Sequence, residues 1–455
     1  MVARRQWGAL CCVSMMAWVL TDVSSAQSLD LFAQDVLSNS PELEAARHRM
    51  DAASQRVYAA RAQRMPEVRA FGDYGYRYTD ATTRDLTVSD LQLGNTELTF
   101  DEFRFNLDDD FTQAIVGVEA IMELYTGGRR KADIGRAIAE LKAAHASVTL
   151  AELIAEREAI SSYLDALTNR SILALAEENY TLAAERERLF ERRVALGEAR
   201  EEDLSIARQR AAAAELVLQT AKIDNASTVK RFEQLSGDLP GTLAWPAIST
   251  FRPLSADDAA QLAAEDAPIV DRVRRLSDAA TEGVVIAKSR SRPNLSFRSA
   301  YEYSEGGSDF TDESENALVG VRLSVPIFDG GRRRAGVREA RELERALELD
   351  GDAAEREVRR VAYDAWQEHA RAQATERFAE QSADIAERSL LLARRATSYG
   401  ISTDFELADA ERDLTTARVN FLRARRDRQM ALVDLQVAVG KSPLSTDGGE
   451  QTAAP

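Results

Sequence analysis

Two acidic residues in the last fifth of the chain lie on one face of a predicted helix. Glu406 and Asp409 lie at positions i and i+3, so their carboxylates share one face of a helix. In an assembly of several copies they would form carboxylate rings, which attract cations and bind multivalent ones. Glu406 also has a structural explanation, because an acid in the first helical turn stabilises the helix. Asp409 lies one turn further in, where that explanation weakens.

Patterns typical of enzymes do not emerge from the remaining residues. His48, His145 and His369 are isolated in the sequence, which is not the pattern of a metal cluster. Gly440-Lys441-Ser442 resembles the end of a phosphate-binding loop, but Leu435 occupies the position of the first glycine of such a loop. The sequence shows no nucleophile constellation. We therefore expect neither catalysis nor a metal or other cofactor.

The charge of the chain argues against nucleic acid as a partner. The 455 residues include 58 Lys+Arg and 75 Asp+Glu, which gives a formal net charge of −17. Proteins that bind nucleic acid show a basic stripe or patch instead. The chain has 10 prolines and 7% aromatic residues but 29% charged residues, a mixture that favours long solvated helices over a compact enzyme core.

Residues 1–26 have the pattern of a secretory signal peptide. A basic start precedes an apolar stretch from Trp7 to Leu20, and small residues lead to a cleavage point after Ala26. Both cysteines, Cys11 and Cys12, fall inside this segment, so the mature chain is expected to need no disulfide. The residues before Cys11 match a lipoprotein signal poorly, and we expect no lipid anchor.

The sequence contains an internal repeat. Gly117–Arg130 and Gly320–Arg333 are identical at 6 of 14 positions, at an offset of 203 that also relates Gly197 to Gly400. An upstream block repeats at an offset of 227. The difference of 24 is a longer loop in the first half, and loops tolerate such changes. Internal repeats of this kind indicate repeated structure.

This repeat predicts the domain organisation. We place the first repeat at 27–240, the second at 241–443, and a flexible tail at 444–455. Each repeat is expected to contain a strand pair and a long helical hairpin. The strand pairs are predicted at 67–125 and 294–328, and the hairpins at 129–235 and 332–439.

The strand predictions are based on alternation. Apolar and polar residues alternate over about ten positions, with tyrosines such as Tyr74 and Tyr301 near the ends. This pattern is typical of a transmembrane β-strand, and equally of a soluble hairpin packed on a helix.

The long helices are predicted from the positions of proline and glycine. Residues 129–196 and 332–399 contain no proline, and such helices would reach roughly 100 Å at about 1.5 Å per residue. Gly197 and Gly400 are expected to end them in the left-handed conformation, before an antiparallel return helix.

Glycine pairs occupy the points where strand must become helix. Gly127-Gly128 and Gly330-Gly331 permit the change of backbone dihedrals, which is a structural role. The arginines 332–334 follow at a helix start, where the helix dipole disfavours cations. A phospholipid headgroup or a carboxylate of a neighbouring chain would offset that cost. A basic turn that is simply solvated is the equally open alternative.

Four strands in one chain cannot close a barrel or protect their edges. Because an open sheet edge is not viable in lipid, a membrane location would require several copies to share one barrel. Three copies would supply twelve strands, and the long helices would continue the tube below the membrane.

The whole mature chain resembles the TolC family of outer-membrane efflux and secretion channels. Besides the duplication itself, the resemblance is carried by three motifs: Asn39-Ser40-Pro41-Glu42-Leu43, Pro326-Ile327-Phe328-Asp329-Gly330-Gly331-Arg332 and Tyr399-Gly400-Ile401. The first half departs from the pattern, since Glu123 replaces the expected proline. The resemblance implies a membrane β-barrel plus a long α-helical barrel, built by a homotrimer with twelve strands in the cell outer membrane and helices in the periplasm.

The resemblance also implies partners and site residues. The partners are a periplasmic adaptor (membrane fusion protein), an inner-membrane pump or ABC-type secretion transporter, and outer-membrane lipid. Glu406 and Asp409 match the acidic pair of the periplasmic entrance, and Asp203 aligns with Glu406 across the repeat while Ile206 stands opposite Asp409. Contact with the adaptor is expected at both helical tips, which are Leu196-Gly197 and Tyr399-Gly400-Ile401.

Two functions remain open from the sequence. The first is a passive exit duct of a tripartite efflux or type I secretion system. The second is a periplasmic coiled-coil scaffold without a pore, in which the alternating segments are soluble hairpins. A channel needs detergent for extraction, whereas a scaffold does not.

Overall fold

The computed structural model describes residues 28–77, 84–86, 91–93, 96–98, 103–105, 111–246, 248, 252–308 and 311–444. The predicted signal peptide and all but the first residue of the predicted tail lie outside the described residues.

Each half of the chain is a short helical lead followed by strands and a long helical hairpin. The elements of the first half are α1 (Leu29–Asn39), α2 (Pro41–Ala62), β1 (Glu67–Arg77), β2 (Arg84–Leu86), β3 (Leu91–Leu93), β4 (Thr96–Leu98), β5 (Phe103–Phe105), β6 (Phe111–Tyr125), α3 (Arg129–Ala195) and α4 (Glu201–Ser236). Those of the second half are α5 (Ala256–Asp266), α6 (Pro268–Ser289), β7 (Asn294–Ser308), β8 (Thr311–Ser324), α7 (Arg332–Ser398) and α8 (Asp404–Ala438).

The longer loop of the first half, between β1 and β6, contains short strands. Within the residues that are described there, β2 pairs with β5 and β3 pairs with β4, both antiparallel. This segment separates β1 from β6, and its counterpart between β7 and β8 is only two residues long.

The four long strands form one antiparallel sheet in the order β1-β6-β7-β8. Its register pairs Val68 with Ala120, Val118 with Tyr301, and Tyr301 with Ala317. Because side chains alternate between the faces of a strand, this register collects apolar residues on one face. Its exposed members include Val68, Tyr74, Val116, Val118, Tyr301, Val319, Val321 and Leu323.

The opposite face of the sheet carries charge. Glu119 of β6 is buried between Arg69 of β1 and Arg298 of β7, and it forms ion pairs with both. One carboxylate thus joins three neighbouring strands on the polar face, which fits the alternation of a strand with one apolar and one polar side.

Strand β8 is shorter than predicted. The alternation suggested a strand to about Phe328, but regular pairing ends at Ser324. Pro326 explains the difference, because a proline has no backbone N–H to donate to a sheet. Residues 325–331 form an irregular connection to α7.

The helices α3 and α7 have 67 residues each, which corresponds to about 100 Å. They return through α4 and α8, so each half of the molecule is a long antiparallel hairpin. Among the described helices, none has a stretch apolar and long enough to cross a membrane. The predicted protomer, a duplicated chain with four long strands and two helical hairpins, is confirmed.

An apolar core lies where α1, α3, α4 and α8 meet. Phe32 stacks on Phe232 with ring centroids 3.9 Å apart, and both side chains are fully buried. Tyr163 lies beside Phe32, and its hydroxyl donates to the carbonyl of Ala244 over 2.9 Å. Met430 and Val433 of α8 complete the cluster, which joins the two repeats.

The two long helices differ in burial although they are repeats of each other. In these two fully described helices, twenty residues of α3 are buried and only five of α7. The reason is the set of neighbouring helices, because α3 packs against α1, α2, α4, α6 and α8, whereas α7 packs against α5, α6 and α8.

A buried histidine makes the packing of α7 on α8 sensitive to pH. The side chain of His369 is buried, and its burial, together with the charges of Arg252 and Arg428, lowers its pKa below the ordinary value. The folded protein therefore binds this proton less readily than the unfolded chain. The contribution to stability is present above the ordinary value of about 6.5 and is lost as the pH falls from there towards the lowered value.

We expect the free energy of unfolding to decrease between pH 7.5 and pH 5, and His369→Gln to make that decrease smaller. Denaturant unfolding of the purified protein at the two pH values measures this. His145→Gln is the matched control because that histidine lies exposed on α3. Equal pH dependence in the protein and in His369→Gln would contradict the assignment.

Candidate functional site

The tips of the two helical hairpins have the same backbone geometry. Gly197 and Gly400 have positive φ values of 73° and 72°. After them, Glu198 N–H donates to Arg193 C=O over 2.7 Å, and Ile401 N–H donates to Ala396 C=O over 2.9 Å. Such bonds satisfy carbonyls at a helix end and turn the chain sharply. The two turns therefore place short loops at the far end of each hairpin.

The tip loops expose apolar side chains. Leu196 is 73% exposed, Tyr399 79% and Ile401 81%. Side chains of this kind at the end of a long helical hairpin are available to a partner, because exposed apolar patches commonly mark interaction sites.

A capping box begins each return helix. Thr403 N–H donates to Glu406 Oε2 over 2.9 Å, and Glu406 N–H donates to Thr403 Oγ1 over 3.2 Å. The hydroxyl of Ser402 also donates to this carboxylate, over 2.5 Å. These bonds, that of Ser402 first, lower the pKa of Glu406 below its ordinary value.

Asp203 occupies the equivalent position in the first repeat. Its carboxylate accepts the backbone N–H of Arg200 over 3.1 Å, and this bond and the Arg200 side chain lower the pKa of Asp203. The structure thus gives Asp203 and Glu406 the same local role at the starts of α4 and α8. Both carboxylates therefore stay ionised to a lower pH than they would without these bonds.

Asp409 links the two hairpins. Its carboxylate pairs with Arg210 of α4 over 3.0 Å and with Arg412, one turn further along α8, over 3.4 Å. It is half-exposed, so one side of the carboxylate faces solvent while the other is engaged.

Further contacts reinforce this link near the tips. Arg193 pairs with Asp404 over 2.7 Å, and Arg186 pairs with the buried Glu411 over 2.6 Å. Phe190 of α3 stacks on Phe405 of α8 at 5.1 Å, and the guanidinium of Arg210 lies over the Phe405 ring. We did not predict these residues from the sequence, because partners about 200 positions apart leave no local pattern.

The strand-to-helix junctions are also repeated. Gly127, Gly128, Gly330 and Gly331 all have positive φ, between 63° and 97°. At the first junction, Arg292 donates to the carbonyl of Gly127 over 2.7 Å, and a Cβ on Gly127 would lie 2.6 Å from the Cβ of Arg292. The glycine is therefore required both for its dihedral angle and for close packing.

The second junction has the same positive φ values at its glycines, but no residue packs against Gly330 as Arg292 packs against Gly127. Nothing lies within 4 Å of a Cβ built on Gly330. The carboxylate of Asp329 accepts the N–H groups of Gly331 and Arg333, and Arg333 pairs with it through Nε over 2.7 Å. The arginine bond, followed by these backbone bonds, lowers the pKa of Asp329.

The described residues hold no group of three or more His, Cys, Asp or Glu side chains placed to bind a metal. The described chain instead consists of a sheet with one polar and one apolar face and of two long helical hairpins.

Comparison with known proteins decides the family. The family model described as "Outer membrane efflux protein" matches residues 32–238 and 259–441, which together make up most of the chain. The chain belongs to the outer membrane efflux protein family.

Individual relatives agree with that assignment. It is 24% identical to the outer membrane efflux protein BepC of Brucella suis over 72% of this chain and 73% of the relative. It is 25% identical to the alkaline protease secretion protein AprF of Pseudomonas aeruginosa over 39% and 38%. The outer membrane channel CmeC of Campylobacter jejuni has the same fold, with a TM-score of 0.75 at 15% identity over 92% of this chain and 87% of that one.

Family membership confirms the main predictions. The chain has the fold of these channels, a β domain continued by long helices, and it lies in the outer membrane with its helices extending into the periplasm. It acts as an exit duct there, which favours the channel over the scaffold without a pore. Its family carries out transport.

Proposed function

We propose that three copies of this chain form one duct, which receives substrate in the periplasm and releases it outside the cell. The observation that carries this proposal is the four-stranded sheet with β1 and β8 as free edges. Unpaired edges are not viable in lipid, and pairing β8 of one copy with β1 of the next removes them all. Three copies supply twelve strands, which is enough for an open lumen.

The repeat supports the same assembly along the helices. Gly127 has a packed neighbour from the second repeat, whereas Gly330 has open space in the equivalent position. The far side of α7 is exposed in the same way. A second copy that repeats the packing of α6 on α3 with its own α2 would fill both places.

The hairpin tips are the end that meets the energy-supplying partners. In this proposal Leu196, Gly197, Tyr399, Gly400 and Ile401 contact a periplasmic adaptor, which connects the duct to an inner-membrane pump or ABC-type transporter. Support comes from the exposure of the apolar side chains among them. The duct itself is passive.

We propose efflux of small molecules as the cargo class. The relative described as an efflux protein matches 72% of this chain, and the secretion protein AprF matches 39%. Type I protein secretion is the second candidate because of the AprF match. Expression in a strain without its own outer-membrane channel separates the two, since efflux restores drug resistance and secretion restores an extracellular protein.

The periplasmic entrance is proposed to be lined by Glu406 and Asp409, with Asp203 near by. We expect the purified protein to give defined cation-selective steps in a planar bilayer, and Glu406→Ala/Asp409→Ala to lower the ratio of cation to anion permeability. The reason is that a trimer loses six carboxylates at one narrow level of the duct. The reversal potential in a potassium chloride gradient measures the ratio.

Thr403→Ala is the control for the loss of a helix cap. It removes the hydroxyl that caps α8 and keeps every carboxylate, so a change that comes from capping alone would appear there too. Unchanged ion selectivity in the double variant would contradict the entrance assignment. A preparation that conducts nothing and stays soluble without detergent would contradict the duct itself.

A further inference from the structure

A cavity of about 660 Å³ lies at the second strand-to-helix junction, between the end of α6 and the start of α7. Three arginines line it, Arg290, Arg332 and Arg333, together with Asp329. Its position is the level at which the strands give way to helices. In an outer-membrane protein this is the level of the phospholipid headgroups on the periplasmic side.

Two of the three arginines are not neutralised. Arg333 pairs with Asp329. In the part of the chain that the structure describes, the side chains of Arg290 and Arg332 form no hydrogen bond and no ion pair. The cavity therefore keeps two positive charges that face a common space.

The internal repeat shows that this charge is specific to the second junction. Arg129 is the counterpart of Arg332, and it pairs with Glu123 over 2.6 Å. At the offset of 203, the position of Glu123 is taken by Pro326. A carboxylate thus neutralises the first arginine, and a proline without charge or N–H stands in its place at the second.

The rim of the cavity is apolar. Phe328 lines it and is 88% exposed, and the adjacent Ile327 is 95% exposed. Both follow the end of β8, whose apolar face includes Val321 and Leu323. A ligand that combines an anionic group with hydrocarbon satisfies both the arginines and the rim.

We propose that this cavity binds the phosphate of a membrane phospholipid, with Arg290 and Arg332 contacting the phosphate oxygens and Phe328 contacting the acyl chain. Guanidinium groups bind phosphate through paired, charge-assisted hydrogen bonds. Basic pockets between helices at the membrane boundary bind lipid headgroups in the same way. The bound lipid would fix the duct at this depth in the membrane.

A carboxylate from a neighbouring copy is the rival occupant. The first junction shows where a neighbouring repeat packs, since Arg292 of the second repeat contacts Gly127. The equivalent approach from another copy leads to Gly330. The cavity lies instead between α6 and α7, which are helices of one repeat, and this geometry favours lipid over the neighbouring chain.

The test uses the detergent-purified full chain and titrates phosphatidylglycerol by native mass spectrometry. Arg332→Gln removes one phosphate contact, and Pro326→Glu restores the carboxylate of the first junction. Each is expected to weaken lipid binding by about tenfold or more, because Arg332 no longer offers the phosphate a free, charge-assisted hydrogen bond. Arg334→Gln, in the same helical turn but outside the cavity lining, should bind as the unmodified chain does.

Other outcomes would overturn the proposal. Equal lipid binding by all four proteins would exclude the cavity as the site. Displacement of the lipid by inorganic phosphate at equal concentration would show that the site takes free phosphate and not a headgroup. Dissociation of the assembly in Arg332→Gln, with lipid binding unchanged, would assign the arginine to a neighbouring carboxylate.

Discussion

Replacing Ile401 with glutamate should abolish export while the protein still assembles in the outer membrane. Ile401 is 81% exposed at the turn between α7 and α8, so the duct alone loses no packing there. Contact with an adaptor would bury it. Burying an apolar side chain of this size contributes about 1.5–3 kcal/mol, and an unpaired charge in the same place adds a desolvation cost. Binding to the adaptor should therefore weaken by about a hundredfold or more.

Drug resistance of cells that carry the variant measures export, and copurification with the adaptor measures binding. Ile401→Leu is the matched control, because it keeps an apolar side chain of the same volume and should export normally. Wild-type export by Ile401→Glu would contradict the contact at this tip. Loss of the assembled protein from the membrane would instead indicate a folding defect at the turn.

The secondary structure could be predicted from the sequence because local rules determine it. The 67 residues of α3 contain no proline and one glycine, and the helix ends beside Gly197. Because the chain contains an internal repeat, the helix boundaries of the first half also predict those of the second half. Where the prediction failed, at the end of β8, the cause was also local, since Pro326 interrupts the pairing.

The connections between elements could not be predicted in this way. Glu119 lies between Arg69 and Arg298 only because β6 stands between β1 and β7 in the sheet. Nothing near Glu119 in the sequence indicates either partner. The ion pair of Asp409 with Arg210 likewise depends on how the two hairpins pack. Such contacts follow from topology, which the alternation of residues does not specify.

The site residues also fall into two groups: those that the local sequence shows and those that depend on contacts between elements. Residue types at the tips and junctions were recognisable, because glycine with positive φ is a backbone requirement that the sequence shows directly. The unpaired state of Arg332 was not, because an ion pair such as that of Arg129 with Glu123 depends on side-chain positions that the sequence does not give.

The largest loss of stability is expected from Phe232→Ala. Phe232 is fully buried and stacks on Phe32 in the core that joins α1, α3, α4 and α8. Truncating a buried phenylalanine to alanine costs about 3–5 kcal/mol, since it loses transfer free energy and leaves a cavity. Guanidinium unfolding of the detergent-purified protein, followed by circular dichroism, measures the free energy of unfolding.

Phe232→Leu separates the cavity from the general effect of changing this residue. Leucine fills most of the space, so its cost should be less than half that of alanine. The core joins the two repeats through Met430 and Val433, so the alanine variant should also loosen α8 from α3. Amide hydrogen exchange in α1 and α8 that is faster than in the unmodified protein, with exchange at the hairpin tips unchanged, would show this loosening. An alanine variant as stable as the unmodified protein would mean that Phe232 does not hold the two halves together.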